Sequence, residues 1–212
     1  MTNIGTILPE PGFLAALRDA CTCTGTLLII DETHTICAGP GGMSRAEGLQ
    51  PDIFVLGKPI AGGIPVAIYG FTADLAARLG GAIQTDLATL EDVLTEKAYS
   101  RMIALAQRFE AGVLDTIARH RLAWTIKRLG CRDEYWPAAT APRNGGQAAA
   151  SGNERLDYYM HLAALNRGVY LTPFHNMALM CPATTAADVD RHTAVFVESV
   201  ALLLGSAARS RL

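Results

Sequence analysis

Lysine is scarce in this chain: three occur, Lys58, Lys97 and Lys127, against fifteen arginines in 212 residues. Lys97 lies in the polar stretch Thr95-Glu96-Lys97 and Lys127 sits beside Arg128, so both read as solvated, whereas Lys58 is bracketed by apolar residues and glycines. Charge of one sign is also lacking. A net charge of -2 and a pI near 6.2 exclude the basic field that nucleic acid or an anionic membrane surface would need. No apolar run reaches the length of a membrane span, and no charged-then-apolar leader opens the sequence, so a cytoplasmic location is expected. Five cysteines, Cys21, Cys23, Cys37, Cys131 and Cys181, make an odd and scattered set that does not form a disulfide framework. Cys21-Thr22-Cys23 has one residue between its thiols and no second pair or nearby histidines, which fits no zinc spacing; no metal is expected.

What the chain does have is apolar mass, half of its residues, enough for one large or two small cores. Pro9-Glu10-Pro11-Gly12 reads as a turn and helix start, with Phe13, Leu14, Ala16, Leu17 and Ala20 at helical spacing up to Gly25. Leu27 to Ile30 is a continuous β-favouring run, which predicts a strand covered on both faces in a mostly parallel sheet. Pro51-Asp52 introduces a second strand, Ile53 to Leu56, and Val66 to Phe71 supplies a third. From Leu87 to His120 the apolar spacing is helical. Beyond it the pattern predicts strands at Trp124 to Leu129 and near Tyr135, a turn over Pro142 to Gly146, and a helix around Arg155 to Asn166. A short strand at Val169 to Leu171 and a final helix from Thr185 to Leu204, capped by Thr185 with Asp188, complete the reading. The fold class is α/β, organised as a partial α/β unit over 1–100 and, over 101–212, a long helix with a small α+β domain.

Two strand ends carry the chemistry. The first apolar run ends in Asp31-Glu32-Thr33-His34, and the second leads to Gly57-Lys58-Pro59-Ile60-Ala61-Gly62-Gly63. Ligands in such sheets gather at the carboxyl ends of strands. Each residue alone has a plainer reading, a capping carboxylate or an edge lysine with its stem on apolar surface; together, with Gly62-Gly63 permitting close backbone approach, they favour a site. Glu32 points away from Asp31 by strand alternation and is expected to anchor the strand end.

These segments resemble the class III, aminomutase-like aminotransferases. Leu27-Leu28-Ile29-Ile30-Asp31-Glu32-Thr33-His34-Thr35 is similar to that family's strand ending in the aspartate at the cofactor ring nitrogen, and Asp52 to Pro65 is similar to its Schiff-base lysine segment. Asn166 to Pro173 and Pro182 to Thr185, with Asp188-Val189-Asp190, are similar to its C-terminal domain. The resemblance implies a pyridoxal-phosphate-dependent transferase-like fold and an aminotransferase or a relic of one, acting on a small molecule. It implies Lys58 as the residue that forms the Schiff base, Asp31 at the pyridine nitrogen, Thr33 against the ring face and His34 close by. It also implies that the phosphate-binding cup and the ring-stacking aromatic belong to a portion preceding residue 1, so that the cofactor is held weakly, and that a threonine motif expected after Phe71 is missing, with Thr85 a poor substitute.

Two other readings stay open. Gly42-Met43-Ser44-Arg45-Ala46 approaches a G-x-S-x-G nucleophile elbow, with His34 and Asp31 near in sequence, which would make an ester hydrolase. A non-catalytic dimerising fragment is the third. Self-association into a homodimer or higher homo-oligomer is expected under all of them, because exposed apolar surface must be covered.

Overall fold

The computed structural model describes residues 5–61, 66–79, 94–171 and 175–209. The chain divides into two compact units, one comprising Leu8–Ser100 and the other Ile4–Ile7 with Arg101–Leu212. No helix among the described residues is long and apolar enough to cross a membrane.

In the first unit, helix α1 (Phe13–Thr24) ends where Gly25 takes a left-handed conformation, φ 67°, and returns its N–H to the last turn, the usual glycine stop. Strand β1 (Ile29–Asp31) is followed by a 3-10 turn over Thr35–Ala38 and by the short helix α2 (Gly42–Ala46). Strand β2 (Ile53–Leu56) pairs parallel to β1, with Asp31 opposite Val55. Strand β3 (Ile68–Phe71) pairs antiparallel to β2, so the sheet is mixed in the order β1-β2-β3. Helix α3 (Ala73–Leu79) follows. Leu56, Ile36 and Ile60 form the buried cluster under the sheet, with Phe54 and Ile68 packed against it. Asp52 fixes how the chain enters β2: its carboxylate accepts from the Leu28 N–H at 2.7 Å and from Arg18 at 2.9 Å. Those two donors, the amide first, hold the Asp52 carboxyl below its ordinary range.

One expectation for this unit is corrected. The strand at Leu27 to Ile30 is shorter and starts later, and it is not covered on both faces, since Ile29 stays 57 % exposed. The physical reason is position: β1 is the edge of the described sheet, with Leu28 alone of that run buried.

Helix α4 (Glu96–His120) begins at the end of the first unit and continues into the second. The expected helical stretch before it, and with it Thr85, lies outside the described residues. In the second unit β4 (Thr125–Leu129) and β5 (Arg132–Trp136) form an antiparallel pair. Asn144 caps α5 (Gly145–Ala150) by accepting from the Gln147 N–H, so the turn-rich stretch expected there continues as a short helix. Asn153 caps α6 (Glu154–Leu165) in the same way. The remaining elements are β6 (Met177–Leu179) and α7 (Ala186–Arg209). The strand expected at Val169 to Leu171 is not formed; β6 takes that place beside β5, giving the order β4-β5-β6. At the start of α7 the Asp188 carboxylate accepts from the Thr185 N–H at 2.9 Å and its hydroxyl at 2.7 Å.

The core of this unit is aromatic. Tyr135 on β5 lies against Phe196 on α7, ring centres 5.1 Å apart, and stacks on Trp124 at 5.9 Å. Phe109 and Val113 of α4 are buried with Val200 of α7, and burying each such side chain is worth roughly 1.5–3 kcal/mol. All five residues of β5 are buried, including Arg132, Asp133 and Glu134. Glu134 is satisfied by the N–H of Thr6 at 2.7 Å and its hydroxyl at 3.2 Å.

Candidate active site

Asp31 is the last residue of β1, and Lys58 stands two positions beyond the end of β2. Parallel pairing brings both strand ends to one edge of the sheet. Between them Thr33 makes the link: its hydroxyl accepts from the Gly57 N–H at 3.0 Å, while its own N–H donates to the Asp31 carboxylate at 2.9 Å. The residue after Asp31 is also tied across, with the Glu32 N–H donating to the Val55 carbonyl at 2.8 Å. The two loops are therefore stitched together immediately past the strands.

Lys58 Nζ lies 3.2 Å from His34 Nε2. Lys58 has a left-handed backbone, φ 47°, an uncommon conformation for a residue with a Cβ. Both Asp31 and Lys58 are exposed, and Thr33 and His34 half-buried. The Asp31 carboxyl is held below its ordinary range, first by its hydrogen bonds from Thr33 and then, against the cost of partial burial, by the electrostatic pull of the neighbouring His34–Lys58 pair. The cluster thus pairs an ionised carboxylate with an amine and an imidazole on one open face. An amine can add to a carbonyl, and a carboxylate can hold a protonated heteroaromatic nitrogen; this arrangement offers both.

Glu32 builds the floor. It is fully buried, and its carboxylate accepts from the Ser44 N–H at 2.5 Å, the Ser44 hydroxyl at 2.6 Å, the Met43 N–H at 3.1 Å and the Thr35 hydroxyl. Gly42 must come close for this: a Cβ there would sit 2.6 Å from the Glu32 carboxylate, and its φ is 66°. The sequence signal for this floor was an acid followed, ten to twelve residues on, by Gly42 and Ser44.

The hydrolase geometry does not form. Ser44 lies inside α2 and is 8 % exposed, its hydroxyl committed to Glu32. A nucleophile elbow needs a strand running straight into an exposed serine, and His34 instead faces Lys58. Gly62-Gly63 lie outside the described residues. Elsewhere, Arg167 is engaged by Glu198 at 2.9 Å and by the Ala163 carbonyl, and His175 approaches buried Glu134 at 3.4 Å. Among the described residues no group of three or more His, Cys, Asp or Glu is placed to hold a metal ion.

A family model described as aminotransferase class-III matches residues 1–132. A glutamate-1-semialdehyde 2,1-aminomutase of Sorangium cellulosum is 34 % identical over 216 residues, which cover 94 % of this chain and 49 % of that protein. Among solved structures, a lysine-to-alanine variant of a glutamate-1-semialdehyde-aminomutase from Pseudomonas aeruginosa PAO1, in complex with PMP, superposes with a TM-score of 0.88 at 44 % identity. The match covers 95 % of this chain and 50 % of that one. An omega-transaminase from Sphaerobacter thermophilus, 22 % identical, shares the fold with a TM-score of 0.80 over 92 % of this chain and 49 % of its own. The chain spans about half the length of the curated relatives it matches.

Proposed function

The chain belongs to the class-III aminotransferase family, and from that premise we propose that it carries the lysine and aspartate of a pyridoxal-phosphate-dependent aminotransferase or aminomutase acting on a small amino compound. The observation that carries this reading is the joined pair of strand ends, where Lys58 and Asp31 share one open edge. The residues fit the group chemically. A pyridinium nitrogen needs an ionised carboxylate, and Asp31 is kept ionised by Thr33; an aldehyde needs an exposed amine, and Lys58 is exposed. When bound, pyridoxal phosphate supplies an aldehyde that takes up an amine and a ring that draws electrons from the adjoining carbon.

In this assignment Lys58 holds the aldehyde end and moves a proton at Nζ, Asp31 holds the ring nitrogen, and Thr33 and His34 flank the ring. Residues 1–100 form the cofactor-holding part and 101–212 the long helix and C-terminal domain. The PMP complex of the Pseudomonas aeruginosa relative supports the cofactor class. Exposed Leu27, Ile29 and Tyr69 support self-association as a homodimer or higher homo-oligomer.

Incubation with pyridoxal phosphate followed by borohydride, with peptide mass analysis, tests the reading. Label concentrated on Lys58, and reduced in Asp31→Ala, is the expected result. Equal labelling of Lys58, Lys97 and Lys127 rejects it.

A further inference from the structure

We propose that His34 is a positioning residue for Lys58, fixing the direction of its amine and taking the proton that the ammonium form must lose before it adds to an aldehyde. This rests on the reading of Lys58 as the aldehyde-binding lysine. The juxtaposition is direct, Nε2 to Nζ at 3.2 Å, and both partners are held from behind. His34 follows Glu32 and Thr33, each locked by the bonds described above, and its carbonyl accepts from the Cys37 thiol at 3.0 Å. Lys58 follows Gly57, whose amide is bound by Thr33, and keeps φ at 47°. Such backbone is strained, and persists where the surroundings over-determine it.

The charge argument is equally direct. Two cations this close repel, so the contact forms with at most one of the pair charged. Either the amine donates to the lone pair of a neutral ring, or a protonated ring donates to a free amine; passing one proton along the bond exchanges the two states without breaking the contact. Asp31 is a charged group within reach of both, and one positive charge on the pair balances its carboxylate. A free amine is the form that adds to a carbonyl carbon. In that addition a nitrogen–carbon bond forms, and the carbonyl oxygen leaves as water with the two protons of the free amine. Where the amine begins as ammonium, its third proton goes first to His34 Nε2.

The scarcity of lysine supplies the test, because Lys97 and Lys127 are exposed comparators in the same chain. The full chain is treated with formaldehyde and cyanoborohydride between about pH 6 and 8, the range in which histidine exchanges its proton, and methylation at each lysine is followed by peptide mass analysis. Here hydride from cyanoborohydride reduces the carbon–nitrogen double bond left after water departs. Lys58 is expected to react several-fold faster than the other two, and His34→Ala to abolish that lead while leaving Lys97 and Lys127 unchanged as reporters of an intact fold. His34→Gln keeps an acceptor but cannot take a proton, so it is expected to recover the lead at the alkaline end and not at the acid end. A lead that survives His34→Ala across the whole range overturns the proposal. Failure of pyridoxal phosphate to label Lys58, beside a formaldehyde lead that depends on His34, would remove the functional reading and leave this one standing.

Discussion

The Gly57 amide and the Thr33 hydroxyl, 3.0 Å apart, join the residue before Lys58 to the second residue after Asp31. Together with the Glu32 N–H bond to the Val55 carbonyl, this bond sets the spacing of the two strand ends.

Thr33→Val keeps the shape and removes the hydroxyl, leaving the Gly57 N–H without its acceptor and Asp31 without one of its donors. A loss of about 1 kcal/mol or more is expected, read as a lower denaturant midpoint. Slower formaldehyde labelling of Lys58 should accompany it, and a variant that loses stability while Lys58 labels at the wild-type rate would show that the bond does not hold the lysine.

Glu32→Ala should be more costly, because four donors lose a buried acceptor. We expect roughly 3 kcal/mol or more, since each buried donor left unmatched costs about 1 kcal/mol or more. Gly42→Ala should destabilise the same corner by collision with Glu32 and by its positive φ. Urea unfolding followed by circular dichroism checks both; a Glu32→Ala midpoint equal to wild type would contradict the floor assigned to this residue.

Asp133 on β5 is fully buried and neither carboxylate oxygen has a hydrogen-bond partner among the described residues. Burial, with the nearby Glu110 charge adding to it, pushes this carboxyl up to about 8. The folded state therefore keeps a proton that the unfolded chain gives up near pH 4. Stability from this source is complete below that value and is lost as pH rises through about 8. Asp133→Asn should flatten the fall, giving a variant that gains on wild type at pH 8 and not at pH 4.

His192 on α7 has the opposite slope. Its ring lies 4.3 Å from Phe109 and 5.8 Å from Phe196, and burial lowers it to about 4. A group depressed in this way contributes stability above the unfolded value, near 6.5, and loses it as pH falls through 4. The two effects oppose each other between those limits, so the Asp133 slope is cleanest above pH 6.5 and the His192 slope is isolated in Asp133→Asn. In that background His192→Phe should remove the loss between about pH 6.5 and 4, as measured by thermal melts across the range.

Much of the first unit was legible because its signals are local. Ile53 to Leu56 is a compact β-favouring run between Pro51-Asp52 and Gly57-Lys58, and β2 has those bounds. Thr185 and Asp188 announced the start of α7 by spacing alone. Asp31 and Lys58 could be placed at strand ends for the same reason. The bond between Thr33 and Gly57 could not, since it depends on the register of β1 against β2, which neither segment encodes by itself. Ser44 read as a candidate nucleophile because its motif shows spacing and conceals the carboxylate that claims its hydroxyl. The three residues of β6 are too few to display a period, and the β-favouring Val169 to Leu171 drew the strand assignment instead.

Among the described residues every partner of the Glu32 carboxylate comes from within twelve residues along the chain, whereas the Thr6 bond to Glu134 spans 128. Short spans close quickly and long ones wait for the rest of the polypeptide to condense. The corner presenting Asp31 and His34 should accordingly assemble early: in pulsed hydrogen exchange during refolding, the Ser44 amide should gain protection before that of Thr6. That corner would then be set before the N-terminal stretch docks, and damage to that stretch would slow the completion of folding while leaving the early corner unaffected.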